Sequence, residues 1–127
     1  MIDHVSIAVR DLAASARFYE AVLATLGYAK LADRPATIGF GKKYPEFWLN
    51  ERRHMTPVDS DTGTHICLRA SRVEAVQAFH AAAIVAGGAS EGAPGPRSGQ
   101  IGGYYAAFIR DPEGNKIEAA TFTAAAP

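Results

Sequence analysis

Three side chains in this 127-residue chain are of the types and in the positions that could do chemistry together: His4, His65 and Glu118. Two imidazoles and one carboxylate gathered about a cavity form a facial site for one divalent metal ion. Fe(II), Mn(II), Ni(II) and Zn(II) all suit it, and positions stay open for substrate oxygens. The three lie far apart in sequence, so they form no compact motif. Taken singly, a histidine near the start of a strand is more often structural. Glu118 carries a separate signal, because it interrupts the apolar run Ile117-Glu118-Ala119-Ala120. An unpaired carboxylate is costly to bury there. A metal would compensate it, and so would an arginine or a lysine.

The elements that must position these residues are visible as a repeat. Sliding the chain along itself by 61 positions places His4 on His65, Ile7 on Leu68, Leu12 on Val73, Phe18 on Phe79 and Gly27 on Gly88. Such self-similarity marks a duplicated structural unit. In each half the histidine opens a strand of alternating pattern, with Val5, Ile7 and Val9 on one face and His4, Ser6 and Ala8 on the other. Asp11 is placed to cap a helix whose apolar face is Leu12, Phe18, Val22 and Leu26 and which closes at Gly27. The second half repeats this plan, with Ser71 as the cap, then Val73, Val76, Phe79 and Ile84, and an end at Gly87-Gly88.

Three extended runs follow each helix: Tyr28–Ala32, Thr37–Gly41 and Glu46–Asn50, then Ala89–Gly92, Gly103–Ile109 and Lys116–Phe122. Asp111-Pro112-Glu113-Gly114-Asn115 is a turn between two of them. The reading is an α+β fold of two tandem βαβββ modules, residues 1–55 and 62–127 of a single domain. They form a half-open barrel with the helices outside, and His4 and His65 face its cavity.

Composition narrows the partners. Lys plus Arg and Asp plus Glu are 13 each, giving a formal net charge of zero. No basic stripe is present, which argues against a nucleic-acid partner. Cys67 is the one cysteine, so an internal disulfide and cysteine-rich zinc sites are excluded. With neither a signal-like segment nor an apolar run long enough to span a bilayer, a cytoplasmic protein without a membrane partner is expected.

At His4-Val5-Ser6-Ile7-Ala8-Val9-Arg10-Asp11-Leu12, Phe18-Tyr19, Leu26-Gly27-Tyr28, Thr64-His65 and Asp111-Pro112-Glu113-Gly114-Asn115-Lys116-Ile117-Glu118 the sequence resembles the vicinal oxygen chelate superfamily. That group includes glyoxalase I, fosfomycin- and bleomycin-resistance proteins and extradiol dioxygenases. Gly92-Ala93-Pro94-Gly95 and Tyr104-Tyr105-Ala106-Ala107-Phe108 are similar to a small bacterial glyoxalase-like subgroup. The resemblance implies metal ligands on the first, fifth and eighth strands, which map onto His4, His65 and Glu118. The fourth-strand ligand position falls within Phe47-Trp48-Leu49, where no side chain can ligate, a departure from glyoxalase I. The resemblance also implies a homodimer, in many members with the site completed across two chains, and open sheet edges favour pairing.

Trp48, Tyr104 and Tyr105 are candidate substrate-binding residues, with core packing as the alternative for about half of the aromatics. Gly87–Gly103, with seven glycines and two prolines, reads as a flexible connection or lid from which Arg97 could reach an anionic substrate. Tyr19 and His80 are repeat equivalents expected to pack or cap the outer helix face. His54 is expected to be exposed in the linker, and Cys67 to be an unreactive thiol facing the cavity.

The chemistry expected is chelation of a small-molecule substrate through two neighbouring oxygens, with the metal stabilising developing oxyanion charge. Glu118 would act as general base if it can leave the metal, and otherwise as ligand only. A metal-dependent lyase, isomerase or transferase fits this. The alternative is a metal-free, bleomycin-resistance-like binding protein for an aromatic ligand.

Overall fold

The computed structural model describes residues 1–98 and 102–123. The order is β1 (Val5–Val9), α1 (Leu12–Ala24), β2 (Ala29–Asp33), β3 (Thr37–Gly41) and β4 (Pro45–Glu51). There follow β5 (Ile66–Arg69), α2 (Val73–Val85), β6 (Ala89–Pro96), β7 (Tyr104–Arg110) and β8 (Lys116–Phe122). The strands form two four-stranded sheets, β1-β4-β3-β2 and β5-β8-β7-β6. In each, the first strand of the unit runs parallel to the last, and the hairpins are antiparallel. The duplicated βαβββ plan is therefore realised in both halves. The two sheets are separate among the described residues, so the barrel stays open.

Alternation along the strands decides what each face touches. Val9, Leu49, Phe40 and Phe47 turn toward the helices, as do Leu68, Ile109, Ile117 and Ala119, and all belong to one buried cluster with Phe18, Val22, Val76 and Phe79. Burying side chains of this size contributes about 1.5–3 kcal/mol each. The opposite faces carry Ser6, Trp48, Cys67, Tyr104 and Glu118, of which Glu118 is itself buried.

The cap on α1 is the expected one: Asp11 is extended and its Oδ1 accepts from the Ala14 amide at 3.0 Å. On α2 the expectation fails. Arg72 occupies the cap position, no side chain caps it, and Ser71 lies one residue too early. Gly27 at φ 85° and Gly87 at φ 103° turn the chain out of the two helices in the left-handed region that favours glycine.

The segment after α2 is also corrected. The extended run does not stop at Gly92, because β6 continues to Pro96 against β7, with two register shifts absorbing the glycine-rich sequence. Eight of the seventeen residues of the expected flexible connection, Ala89–Pro96, are therefore strand. The expectation for 99–101 lies outside the described residues. Tyr19 does not sit on an outer helix face; it has no exposed surface. Its ring packs edge-on to Phe18 and beside Phe47.

Candidate functional site

Glu118 and His65 are brought together by the parallel pairing of β5 with β8, whose register sets Cys67 opposite Glu118. His65 Nε2 lies 2.9 Å from Glu118 Oε1, while the imidazole remains 41% exposed and the carboxylate 3%. From β7, the Tyr104 hydroxyl donates to Glu118 Oε2. The buried carboxylate is thus compensated by a histidine and a tyrosine, rather than by the arginine or lysine the sequence left open. Among the described residues no buried side-chain nitrogen or oxygen lacks a partner.

This carboxylate dominates its neighbours electrostatically. Burial first, and then the Glu118 charge, push the Cys67 thiol up to about 12. The Tyr104 hydroxyl is likewise pushed up to about 12, by burial and then by its bond to Glu118. Both groups are therefore neutral donors near pH 7, and Cys67 lacks the thiolate character a nucleophile needs.

His4 is placed differently. Its Nδ1 lies 2.7 Å from Asp3 Oδ1, in an exposed N-terminal segment. His4 and His65 line one groove of about 350 Å³ between the β1 and β5 edges, with Asp3, Tyr28, Glu46 and Cys67. Even so, no three His, Cys, Asp or Glu side chains among the described residues of one chain are close enough to hold a metal. Two donors out of three converge. Their separation suits a shared ion as well as a shared proton, since neighbouring ligands on bonds of about 2.1 Å at right angles lie about 3 Å apart.

The remaining candidates divide between the sheets. Trp48 lies half-buried on the first sheet opposite Ser6 and Gly39, with the Arg34 guanidinium 5.3 Å from its ring. A Cβ at Gly39 would come within 3.0 Å of that indole, so the glycine gives it its seat. Tyr105 turns toward the helix layer, where Gln77 Nε2 donates to its hydroxyl at 3.1 Å. Tyr104 is the tyrosine that reaches Glu118. Arg97 folds back over Phe108 on the second sheet. His54 is exposed, and His80 lies 2.8 Å from Ser90 Oγ.

Sequence reasoning treated Asp111–Asn115 as a turn and missed its second role. Asp111 accepts from the Tyr19 hydroxyl, from Asn115 Nδ2 and from the amides of Glu113 and Asn115. Glu113 accepts from Arg10 Nε and the Asp11 amide at 3.0 Å each. Asn115 reaches the Ala8 carbonyl. The turn is the clasp between the two units. No sequence signal pointed to it, since Tyr19 and Asp111 meet across 92 residues.

Two open four-stranded sheets from a duplicated βαβββ unit, with a His–Glu pair on the inner face of one, define a glyoxalase-like architecture. The chain matches the Glyoxalase/Bleomycin resistance protein/Dioxygenase superfamily over residues 1–119 and belongs to it. Among solved structures it is similar to a glyoxalase/bleomycin resistance protein from Albidiferax ferrireducens T118. The two are 34% identical over 93% of this chain and 95% of the other, with a TM-score of 0.80. A family enzyme from Burkholderia phytofirmans PsJN shares the fold at 20% identity over 95% and 98% of the chains, TM-score 0.72. So does the fosfomycin resistance protein FosX from Listeria monocytogenes, at 15% identity over 94% and 91%, TM-score 0.69. No curated protein sequence matches the chain. Among the described residues no helix is long and apolar enough to cross a membrane.

Proposed function

We propose that this protein is a metal-dependent lyase, isomerase or transferase acting on a small oxygenated molecule. The observation that carries the reading is the meeting of His65 Nε2 and Glu118 Oε1 at 2.9 Å on the inner face of the second sheet. His65 and Glu118 would hold a divalent ion, and His4 of a second copy in a homodimer would supply the third donor. Among the described residues of one chain only His65 and Glu118 of these donors meet, and His4 lies exposed at the N-terminal edge of β1, where a second copy could reach it. The ion would supply Lewis acidity toward two neighbouring substrate oxygens.

The chain's own residues then have separable tasks. Tyr104 fixes the Glu118 carboxylate by donating its hydroxyl to Oε2, and because that hydroxyl is pushed up to about 12 the donation persists near pH 7. Glu118, nearly sealed from solvent, either stays a ligand or takes a proton from the substrate as general base. Phe108, whose ring lies 5.8 Å from that of His65, would shield one side of the pair from water. Trp48, from the partner's first sheet in such a dimer, would wall the substrate.

A metal-free binding protein for an aromatic ligand is the second reading. It is favoured by one observation, that both oxygens of Glu118 already have partners, in His65 and Tyr104. Elemental analysis of protein purified without chelators separates the two. The enzyme reading expects about one ion per chain, lost in His65→Ala and in Glu118→Ala. Metal content near zero in the wild type and in both variants would leave only the binding protein.

A further inference from the structure

The inner face of the second sheet holds cations that its carboxylates do not neutralise. Arg97 Cζ lies 5.7 Å and Lys116 Nζ 5.3 Å from the centroid of the Phe108 ring. Neither makes an ion pair among the described residues, whereas Arg110 is paired with Glu91 and Arg10 with Glu113. Arg69 adds a third cation over Phe122, at 4.8 Å. Glu118 is the opposing charge, and its contacts are already with His65 and Tyr104.

Arg97 is also held in a specific pose. Its amide donates to the Tyr104 carbonyl at 2.7 Å, which ties it to the strand carrying the Glu118 partner. Its Nη2 donates to the Ala93 carbonyl at 2.6 Å, and Nη1 to the carbonyls of Gly95 and Pro96 at 3.3 Å each. Nε has no partner among the described residues. Two glycines make room for this fold-back. A Cβ would stand 3.2 Å from Nη2 at Gly92 and 3.3 Å from Nη1 at Gly95. A guanidinium ordered before any ligand arrives loses little further freedom on binding one. Neutral carbonyls leave its charge intact, and a charged donor without a carboxylate partner attracts and orients anions.

The position relative to the candidate chemistry is fixed by register. Phe108 pairs across β7–β8 with Glu118, and its ring neighbours that of His65. We infer that this face takes a substrate bearing an anionic group, a carboxylate or a phosphoryl, held by Arg97 and Lys116 beside Phe108. Its hydroxyl or carbonyl oxygens then point to His65 and Glu118. The inference rests on the reading above that this face is the substrate site, and it adds the substrate class. If Arg97 were only a brace for the end of β6, its replacement would alter stability and leave anion affinity alone.

The test is an NMR titration of metal-free full-length protein, in EDTA, with inorganic phosphate and separately with glycolate. The expected result is saturable shifts at Arg97 Nε–H, the Gly95 amide and the Phe108 ring. Affinity falls about tenfold or more in Arg97→Gln and in Lys116→Gln, the change expected for losing a charge-assisted contact. Lys43→Gln, in the exposed turn between β3 and β4, leaves it unchanged. Among the described residues the Lys116 side chain makes no hydrogen bond whose loss could unfold the strand, so Lys116→Gln remains decisive if Arg97→Gln is unstable. Binding of phosphate alone assigns a phosphoryl group, of glycolate alone a carboxylate, and of both the shared anion chemistry. No saturable binding of either, or wild-type affinity in both variants, overturns the inference. Because the titration omits metal, its failure leaves the metal reading standing, and loss of metal binding would leave the anion result standing.

Discussion

Replacing Tyr19 by phenylalanine deletes one oxygen from the middle of the molecule. That oxygen donates to Asp111 Oδ2 at 2.6 Å from a side chain with no exposed surface, joining α1 of the first unit to the β7–β8 turn of the second. Hydrogen bonds to charged groups contribute about 1.5–3 kcal/mol. Asp111 keeps Asn115 and two backbone donors, so a loss of about 2 kcal/mol is expected. For a chain of this size that is a fall of about 6–10 °C in melting temperature. The loss should also depend on pH. Burial raises the Asp111 carboxyl above its usual range, while the Tyr19 bond pulls it back down. Without that bond the folded-state pKa rises further, so the ionised form costs more. The deficit is then full at neutral pH and shrinks at acid pH, where Asp111 is protonated in both proteins. Urea unfolding of wild type and Tyr19→Phe at the two pH values measures it. A loss under about 0.5 kcal/mol, or one that is the same at both pH values, would refute the clasp as the link between the units.

Other elements of the fold are open to equally direct checks. In Glu113, burial is outweighed by bonds from the Asp11 and Arg10 backbone and the Arg10 guanidinium, so its carboxyl lies below its usual value. Its contribution is then present above the ordinary glutamate range and is lost as pH falls through the depressed value. The stability gap between wild type and Glu113→Gln should narrow at acid pH, as followed by chemical denaturation. Asp11→Ala removes the α1 cap and should cost about 1 kcal/mol in urea. Phe79→Ala, at a position with no exposed surface, should cost about 3–5 kcal/mol in the same assay.

The duplicated plan was legible because two periodicities and one histidine recur at a fixed offset, and burial alternates along β4 as that pattern requires, although β3 and β8 are buried on both faces. Asp11 was readable as a cap for the same local reason. Ser71 was not, because the start of α2 is set by packing of Val76 and Phe79 on the second sheet rather than by a side-chain cap. β6 was cut short because glycine and proline weaken strand propensity. Here backbone pairing to β7 with two register shifts overrides that. Glu118 stood out in sequence as a charge in an apolar run, yet its tyrosine partner could not be chosen between Tyr104 and Tyr105 until the strand register was known. The role of Asp111–Asn115 between the units was hidden because Tyr19 and Asp111 meet across 92 residues. Arg97 was visible as a cation, and its carbonyl cradle was not, since that depends on how β6 ends.

In the proposed site His65 and Glu118 bind a divalent ion with His4 as the third donor. The chain has four histidines, so the imidazole nitrogens can be followed individually by long-range ¹H–¹⁵N correlation during titration with Zn(II). The account expects saturable shifts of the His4 and His65 ring nitrogens at about one ion per chain, with His54 and His80 unchanged. It also expects the His65 response to vanish in Glu118→Gln. Ring-nitrogen signals of His4 and His65 that stay in place at saturating Zn(II), or shifts confined to His54 and His80, would contradict it.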